Sequence, residues 1–343
     1  MSILKTDLST AITIPKFYLA DCLKNGQPKQ LPNGYPMSFA GSFATVFPFV
    51  RADGKQVAIR CWTNLVANKE AKMQAISQYI AQLTDKRYFC DFKFIPDALR
   101  VVNSTGAVED IPILEMEWVE GDNLYTYMKN NIHNSSVMQQ FANDYYEMVV
   151  YLHQQQIAHG DLRNDNLKIK ADGSIVMIDY DSLYLPGLTE GNDEIKGYKG
   201  FQHPKRENNQ LANPQLDYFS EYVIYLSILV AIDNPDIWLK YSCEDSQLFS
   251  LSDFANPQQS AVFQELQQLS DPKIQQVLQQ LLEALKATDI TQIKPLEQLN
   301  KRAFGIDIDD IFNKFAQLPK SVSQTPQTTI SVDTNSIINK FKF

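Results

Sequence analysis

From residue 159 to residue 181 the chain reads His-Gly-Asp-Leu-Arg-Asn-Asp-Asn-Leu-Lys-Ile-Lys-Ala-Asp-Gly-Ser-Ile-Val-Met-Ile-Asp-Tyr-Asp. An acid, Asp161, stands five residues before an amide, Asn166. Two apolar runs follow, Leu167 to Ile169 and Ile175 to Ile178, with Asp172-Gly173 between them. An Asp-Gly pair between such runs predicts a β-hairpin. The second run ends on another acid, Asp179. Phosphoryl transfer needs this set of groups. One carboxylate orients an attacking hydroxyl, and an amide with a second carboxylate holds Mg²⁺ against nucleotide phosphates. Asp161 is the expected hydroxyl-orienting base, and Asn166 and Asp179 are the expected metal ligands. The hairpin would bring Asn166 and Asp179 to one cleft.

The rest of the chain must supply the walls of that cleft. Its 343 residues give room for a sizeable core and about two lobes. Hydrophobic residues make up 44% and charged residues 21%, as in ordinary soluble globular proteins. A net charge of −9 argues against general nucleic-acid affinity. Cys22, Cys61, Cys90 and Cys243 form no Cys-x-x-Cys pair. They point to neither a disulfide framework nor a zinc site, and a cytoplasmic location is expected. The first residues lack the apolar core of a signal peptide. The longest apolar-rich stretch, Tyr222 to Ile232, contains Ser227 and is too short to span a bilayer. No membrane association is expected.

Residues 1 to about 115 read mostly as β, with one helix. Phe43 to Val50 and Gln56 to Trp62 form strand-like runs around Ala52-Asp53-Gly54-Lys55, a hairpin signal. Asn68 to Leu83 carries Ala71, Ala75, Ile76, Tyr79, Ile80 and Leu83 near helical spacing. Tyr88 to Phe94, Leu99 to Val102 and Ile111 to Trp118 read as strands. Beyond about residue 120 helices dominate. Ser136 to Gln156 has one apolar face. Asp217 to Ile232 is apolar nearly all round and should be buried. Gln258 to Leu269 and Pro272 to Leu285 read as two further helices. A β-rich part followed by an α-rich part argues for α+β architecture with a cleft between. The expected division is 1–118, 119–315 and 316–343. In the last part Pro319 to Thr329 reads as a linker, and Ile330 to Phe343 regains apolar residues.

These motifs, over roughly residues 38 to 300, resemble the protein kinase-like superfamily. His159-Gly160-Asp161 stands at the H-R-D position and Asp179-Tyr180-Asp181 at D-F-G. The resemblance implies a bilobal fold with a β-rich N-lobe and a helical C-lobe, binding ATP and Mg²⁺ (Mn²⁺ as an alternative) between them. Met116-Glu117-Trp118-Val119-Glu120-Gly121 resembles the kinase hinge. Met116 would then be the gatekeeper, and the backbones of Glu117 and Val119 would meet adenine. Val57-Ala58-Ile59-Arg60 resembles V-A-I-K, with arginine in place of the phosphate-binding lysine. The two cations are not interchangeable, since arginine is a larger planar fork. Gly41 and Ser42 stand in a reduced glycine-rich loop. Arg163 stands where protein kinases carry a lysine on the transferring phosphate, and a cation there has an electrostatic role.

Gly160 replaces the arginine that usually clamps a phosphorylated activation loop, so that form of control is not expected. H-G-D also occurs in aminoglycoside and choline kinase-like enzymes. Gly200-Phe201-Gln202-His203-Pro204 resembles the close of an activation segment, although the A-P-E acid is replaced by Lys205. Leu216-Asp217-Tyr218-Phe219-Ser220 resembles the start of the helix whose Asp braces the catalytic loop. Both favour the protein-kinase branch. The expected function is a protein serine/threonine-type kinase with a protein substrate or regulatory protein partner. The alternative is a pseudokinase serving as a nucleotide-binding scaffold, and a small-molecule kinase comes third.

Overall fold

A computed structural model describes residues 3–41, 44–63, 67–189 and 191–296, with the backbone alone at 67–69. The expected linker and tail after residue 315, and Ser42, lie outside the described residues. In chain order the elements begin with helix α1 (Lys5–Ala11). Strands β1 (Gln27–Pro28), β2 (Phe39–Ala40), β3 (Ala44–Val50) and β4 (Gln56–Trp62) follow. Helix α2 (Ala67–Gln82) leads to β5 (Phe92–Val102) and β6 (Val108–Glu117). The chain continues with β7 (Asp122–Asn123), α3 (Leu124–Asn131), α4 (Ser135–Gln155), β8 (Leu167–Ile169) and β9 (Ile175–Met177). The helices α5 (Tyr218–Asp233), α6 (Pro235–Tyr241), α7 (Leu251–Ala255), α8 (Ala261–Leu266) and α9 (Pro272–Ala284) complete it. The result is the expected α+β, two-lobed fold, with an antiparallel sheet first and helices after it.

Six strands form the first sheet, in the order β1-β3-β4-β6-β5 with β2 also on β3. Strand periodicity sends alternate side chains to opposite faces. On β4, Val57, Ile59 and Cys61 enter an outer core, while Ala58 and Trp62 join the core beneath the sheet. Arg60 shares the parity of Ala58 and Trp62. A one-residue slip would reverse all of them. The outer face is covered by Ile3, Leu8, Ala11, Ile12, Tyr18 and Leu23, from α1 and the segments before and after it. That helix was not expected; seven residues are too few to show a clear apolar period.

Other differences have local causes. The two strands expected within 88–102 are one strand, β5, with an irregularity between Ile95 and Leu99. Pro96 has no amide for the ladder, and Asp97 turns to φ 46°. On α2 the buried stripe is Met73, Ile76 and Ile80, whereas Ala71 is exposed. The helix expected over 258–269 is divided at Ser260, whose hydroxyl accepts from the Phe263 amide and starts α8 afresh. Helix α5 is buried around its whole circumference and packs on α4, α6 and α9. Among the described residues no helix is long and apolar enough to cross a membrane.

Candidate functional site

Helix α4 ends at Gln156 in the left-handed conformation, φ 55°, which turns the chain into the loop at 157–163. Two groups fix that loop. The buried carboxylate of Asp217 accepts the amides of His159 and, at 2.8 Å, Gly160. His159 Nδ1 accepts from the Asp161 amide at 3.3 Å, so its proton sits on Nε2, which donates to the Ile178 carbonyl at 2.9 Å. Gly160 has φ 78°, and a Cβ there would lie 2.5 Å from the Ser182 carbonyl oxygen. Only glycine fits both demands.

Asp161 is thereby aimed, not merely placed. Its Oδ1 accepts the Tyr198 amide at 2.7 Å, and its Oδ2 accepts Asn166 Nδ2 at 3.1 Å. Burial pushes its pKa above the ordinary carboxylate value, against the pull of the Tyr198 N–H and the Arg163 charge. Asn166 Nδ2 also donates to the Asp161 carbonyl at 2.8 Å. With the nitrogen so engaged, the amide oxygen is the atom of Asn166 suited to a cation.

The hairpin forms as its sequence predicts. Leu167 pairs with Met177 and Ile169 with Ile175, and Gly173 closes the turn at φ 87°. At its open end the Ile178 amide donates to the Asn166 carbonyl at 2.9 Å. That bond sets Asn166 beside Asp179. Asp179 itself has φ 65°, a left-handed conformation that Asp tolerates better than most residues. The next side chain, Tyr180, is buried against Phe92 and Phe89, at centroid distances of 5.2 and 6.0 Å. Its hydroxyl donates to the Met177 carbonyl at 2.7 Å and accepts from the Cys90 amide at 2.9 Å.

Arg60 crosses from the sheet to this loop. Its Nη1 bonds Asp179 Oδ1 at 2.6 Å and its Nη2 bonds Asp181 Oδ2 at 2.5 Å. Burial opposes the guanidinium charge, but the two carboxylates outweigh it and raise the pKa above the ordinary arginine value. Burial likewise works against the charge of Asp179, and Arg60 outweighs it to hold that pKa below the usual carboxylate range. From α2, Lys72 Nζ donates to the Asp181 carbonyl at 2.9 Å. Arg163 bridges Asp165 at 3.2 Å and Asp161 at 3.5 Å, with its guanidinium 5.6 Å from the Tyr198 ring centre.

A cleft of about 660 Å³ opens beside these groups. Phe39, Val46, Ala58 and Arg60 line it from the sheet, and Met116 to Gly121 from the connection between lobes. Asp165, Asn166, Lys168, Ile178 and Asp179 line it from the helical lobe. Of the residues expected from the sequence, Arg60, Met116, Glu117, Val119, Asn166 and Asp179 line this one cleft. Asp161 and Arg163 join it through their bonds to Asn166 and Asp165. Gly41 sits in the turn between β2 and β3, its amide on the Ala44 carbonyl at 2.9 Å. Among the described residues, a Cβ on Gly41 would meet only that oxygen, at 3.7 Å.

Sequence reasoning passed over Phe39, which pairs with Trp118 at 6.2 Å, and Lys168 on the opposite wall. It also gave no role to Asp181. The parity of the 56–62 strand was enough to place Ala58 with Arg60. Nothing local marks Asp181. His153 and His203 are structural, bonded to Glu221 at 2.9 Å and the Ala284 carbonyl at 3.0 Å.

The family model described as Protein kinase domain matches residues 40–292, most of the chain. No curated protein matches the chain significantly.

Proposed function

Because the chain belongs to the protein kinase domain family, we propose that it is an active kinase that phosphorylates serine or threonine hydroxyls of proteins. The observation that carries this reading is that Asn166, hydrogen-bonded to Asp161, is set beside Asp179 at one edge of the cleft by the bond from the Ile178 amide to its carbonyl. An acceptor hydroxyl would meet Asp161, which accepts its proton as the oxygen attacks the γ-phosphorus and the bond to the departing ADP breaks. Asn166 and Asp179 offer an amide oxygen and a carboxylate that is 41% exposed. Such a pair fits Mg²⁺, which binds one or two protein oxygens together with phosphates and waters. When bound, the metal would neutralise charge on the phosphates. Arg60 and Arg163 would steady those phosphates. Glu117 spends its amide on the Asp91 carbonyl at 2.8 Å, so its own carbonyl is the group left for a base.

A second reading has its own support. Arg60 is held by both Asp179 and Asp181, and a chain that never releases the metal acid would be a scaffold. Assaying wild type and Asp161→Asn with labelled ATP, in Mg²⁺ and then Mn²⁺, separates the two. An active kinase transfers phosphate only as the wild type, while both forms gain thermal stability from ATP. Equal transfer by both forms would remove Asp161 from the mechanism.

A further inference from the structure

Arg206 is 1% exposed, and its guanidinium is engaged on every side. Nε and Nη2 meet the Asp193 carboxylate side-on at 2.6 and 3.0 Å. Nη1 donates to Gln202 Oε1 at 2.8 Å and to the Leu216 carbonyl at 2.9 Å. Nη2 also reaches the carbonyls of Gly160 at 3.2 Å and Ile195 at 3.4 Å. Asp193, 6% exposed, also accepts Asn209 Nδ2 at 2.8 Å. A two-pronged Arg–carboxylate pair of this kind is both strong and directional. A buried pair is tolerated when its remaining donors are satisfied, as they are here.

The pair acts on the catalytic loop beside Asp217, whose neighbour Leu216 it also holds. Asp217 holds the amides of His159 and Gly160, and Arg206 holds the Gly160 carbonyl. The segment carrying Asp193 then lies directly on the loop. Gly197 has φ 70°, and a Cβ there would come within 2.9 Å of the Gly160 oxygen and 3.0 Å of Asp161 Oδ1. The next amide, Tyr198, is the one that bonds Asp161 Oδ1 at 2.7 Å.

We propose that Arg206 and Asp193 are positioning residues for phosphoryl transfer, a fixed-charge clamp that seats residues 193–198 on the catalytic loop and aims Asp161. The inference rests on the kinase reading above. A phosphoryl group orders a segment by bringing negative charge to an arginine. Here a carboxylate encoded in the chain already does so. Position 160 is glycine and brings no side chain to receive a phosphate. The seat of the segment is therefore independent of phosphorylation.

The test uses the full-length protein. Asp193→Asn keeps size and removes charge, leaving Arg206 without its carboxylate. The KM for ATP and the ATP-induced rise in melting temperature stay at wild-type values. The kcat falls on the order of a hundredfold, as expected when reacting groups shift by about 1 Å. Amide hydrogens of residues 193–198 exchange faster. Asp193→Glu restores the charge and part of the kcat. Asp193→Leu combined with Arg206→Met removes both charges, avoids a lone buried ion, and shows the same kcat loss with ATP binding intact. Wild type treated with a phosphatase keeps its rate and its slow exchange. Unchanged kcat and exchange in Asp193→Asn would overturn the clamp, as would loss of rate or protection after phosphatase. A wild type that transfers no phosphate would count against the kinase reading, and exchange at 193–198 would still decide the clamp.

Discussion

Arg60→Ala perturbs a charged contact between the two lobes. The guanidinium side chain is 8% exposed, and its two carboxylate partners lie 2.6 and 2.5 Å away. Its removal takes the guanidinium away from both Asp179 and Asp181. Breaking a buried ion pair by deleting one partner costs about 3–5 kcal/mol. The Asp181 side chain is 12% exposed, but that of Asp179 is 41% exposed, so water relieves part of the load. The lower end, about 3 kcal/mol, is expected. At roughly 2–4 °C per kcal/mol for chains approaching this size, the melting temperature should fall by about 6–12 °C. The pH dependence fixes the sign. Arg60 holds the folded pKa of Asp179 below its unfolded value, although burial pushes the other way. Such a group contributes stability that is present above the unfolded pKa and lost as pH falls through the folded one. The gap between wild type and Arg60→Ala should be full at neutral pH and close below about pH 4. Thermal unfolding followed by circular dichroism across that range measures it. Arg60→Lys should recover only part of the loss, because one ammonium cannot fork to two carboxylates. A gap near zero, or one of constant size at every pH, would refute the reasoning.

Asp179→Asn should reduce the Mg²⁺-dependent part of the ATP-induced melting shift more than the metal-free part; an undiminished Mg²⁺ effect would show that Asp179 is not a ligand. Because burial raises the pKa of Asp161, the acid limb of the transfer rate should be displaced upward from the ordinary aspartate value, rising with pH as Asp161 ionises. A pH–rate profile flat down to about pH 4 would contradict this. Gly160→Ala should destabilise the fold by about 1–3 kcal/mol from backbone strain alone, with the 2.5 Å approach to the Ser182 carbonyl adding to it. A melting temperature equal to wild type would mean that the loop can move aside.

What the sequence determined by itself was local. Asp172-Gly173 between two apolar runs specified the hairpin, because a tight turn selects its own residues. That hairpin joined Asn166 to Asp179 through the Ile178 amide. Alternation over 56–62 specified which side chains share a face with Arg60, since the strand period is two. The stretch after Asp217, apolar nearly all round, specified a helix with no solvent face. Tertiary structure decided the pairings between distant charges. Arg60 finds its carboxylates 119 and 121 residues away, and Arg206 joins Asp193 to a carbonyl at position 160. Asp181 reads in the sequence as one more turn acid. Residues 3–23 show no period that names the sheet face they cover. Turn chemistry and periodicity act over a few residues and leave a mark in every short window. An ion pair is set by the three-dimensional distance between charges and by their shared exclusion of water, and no short window contains either.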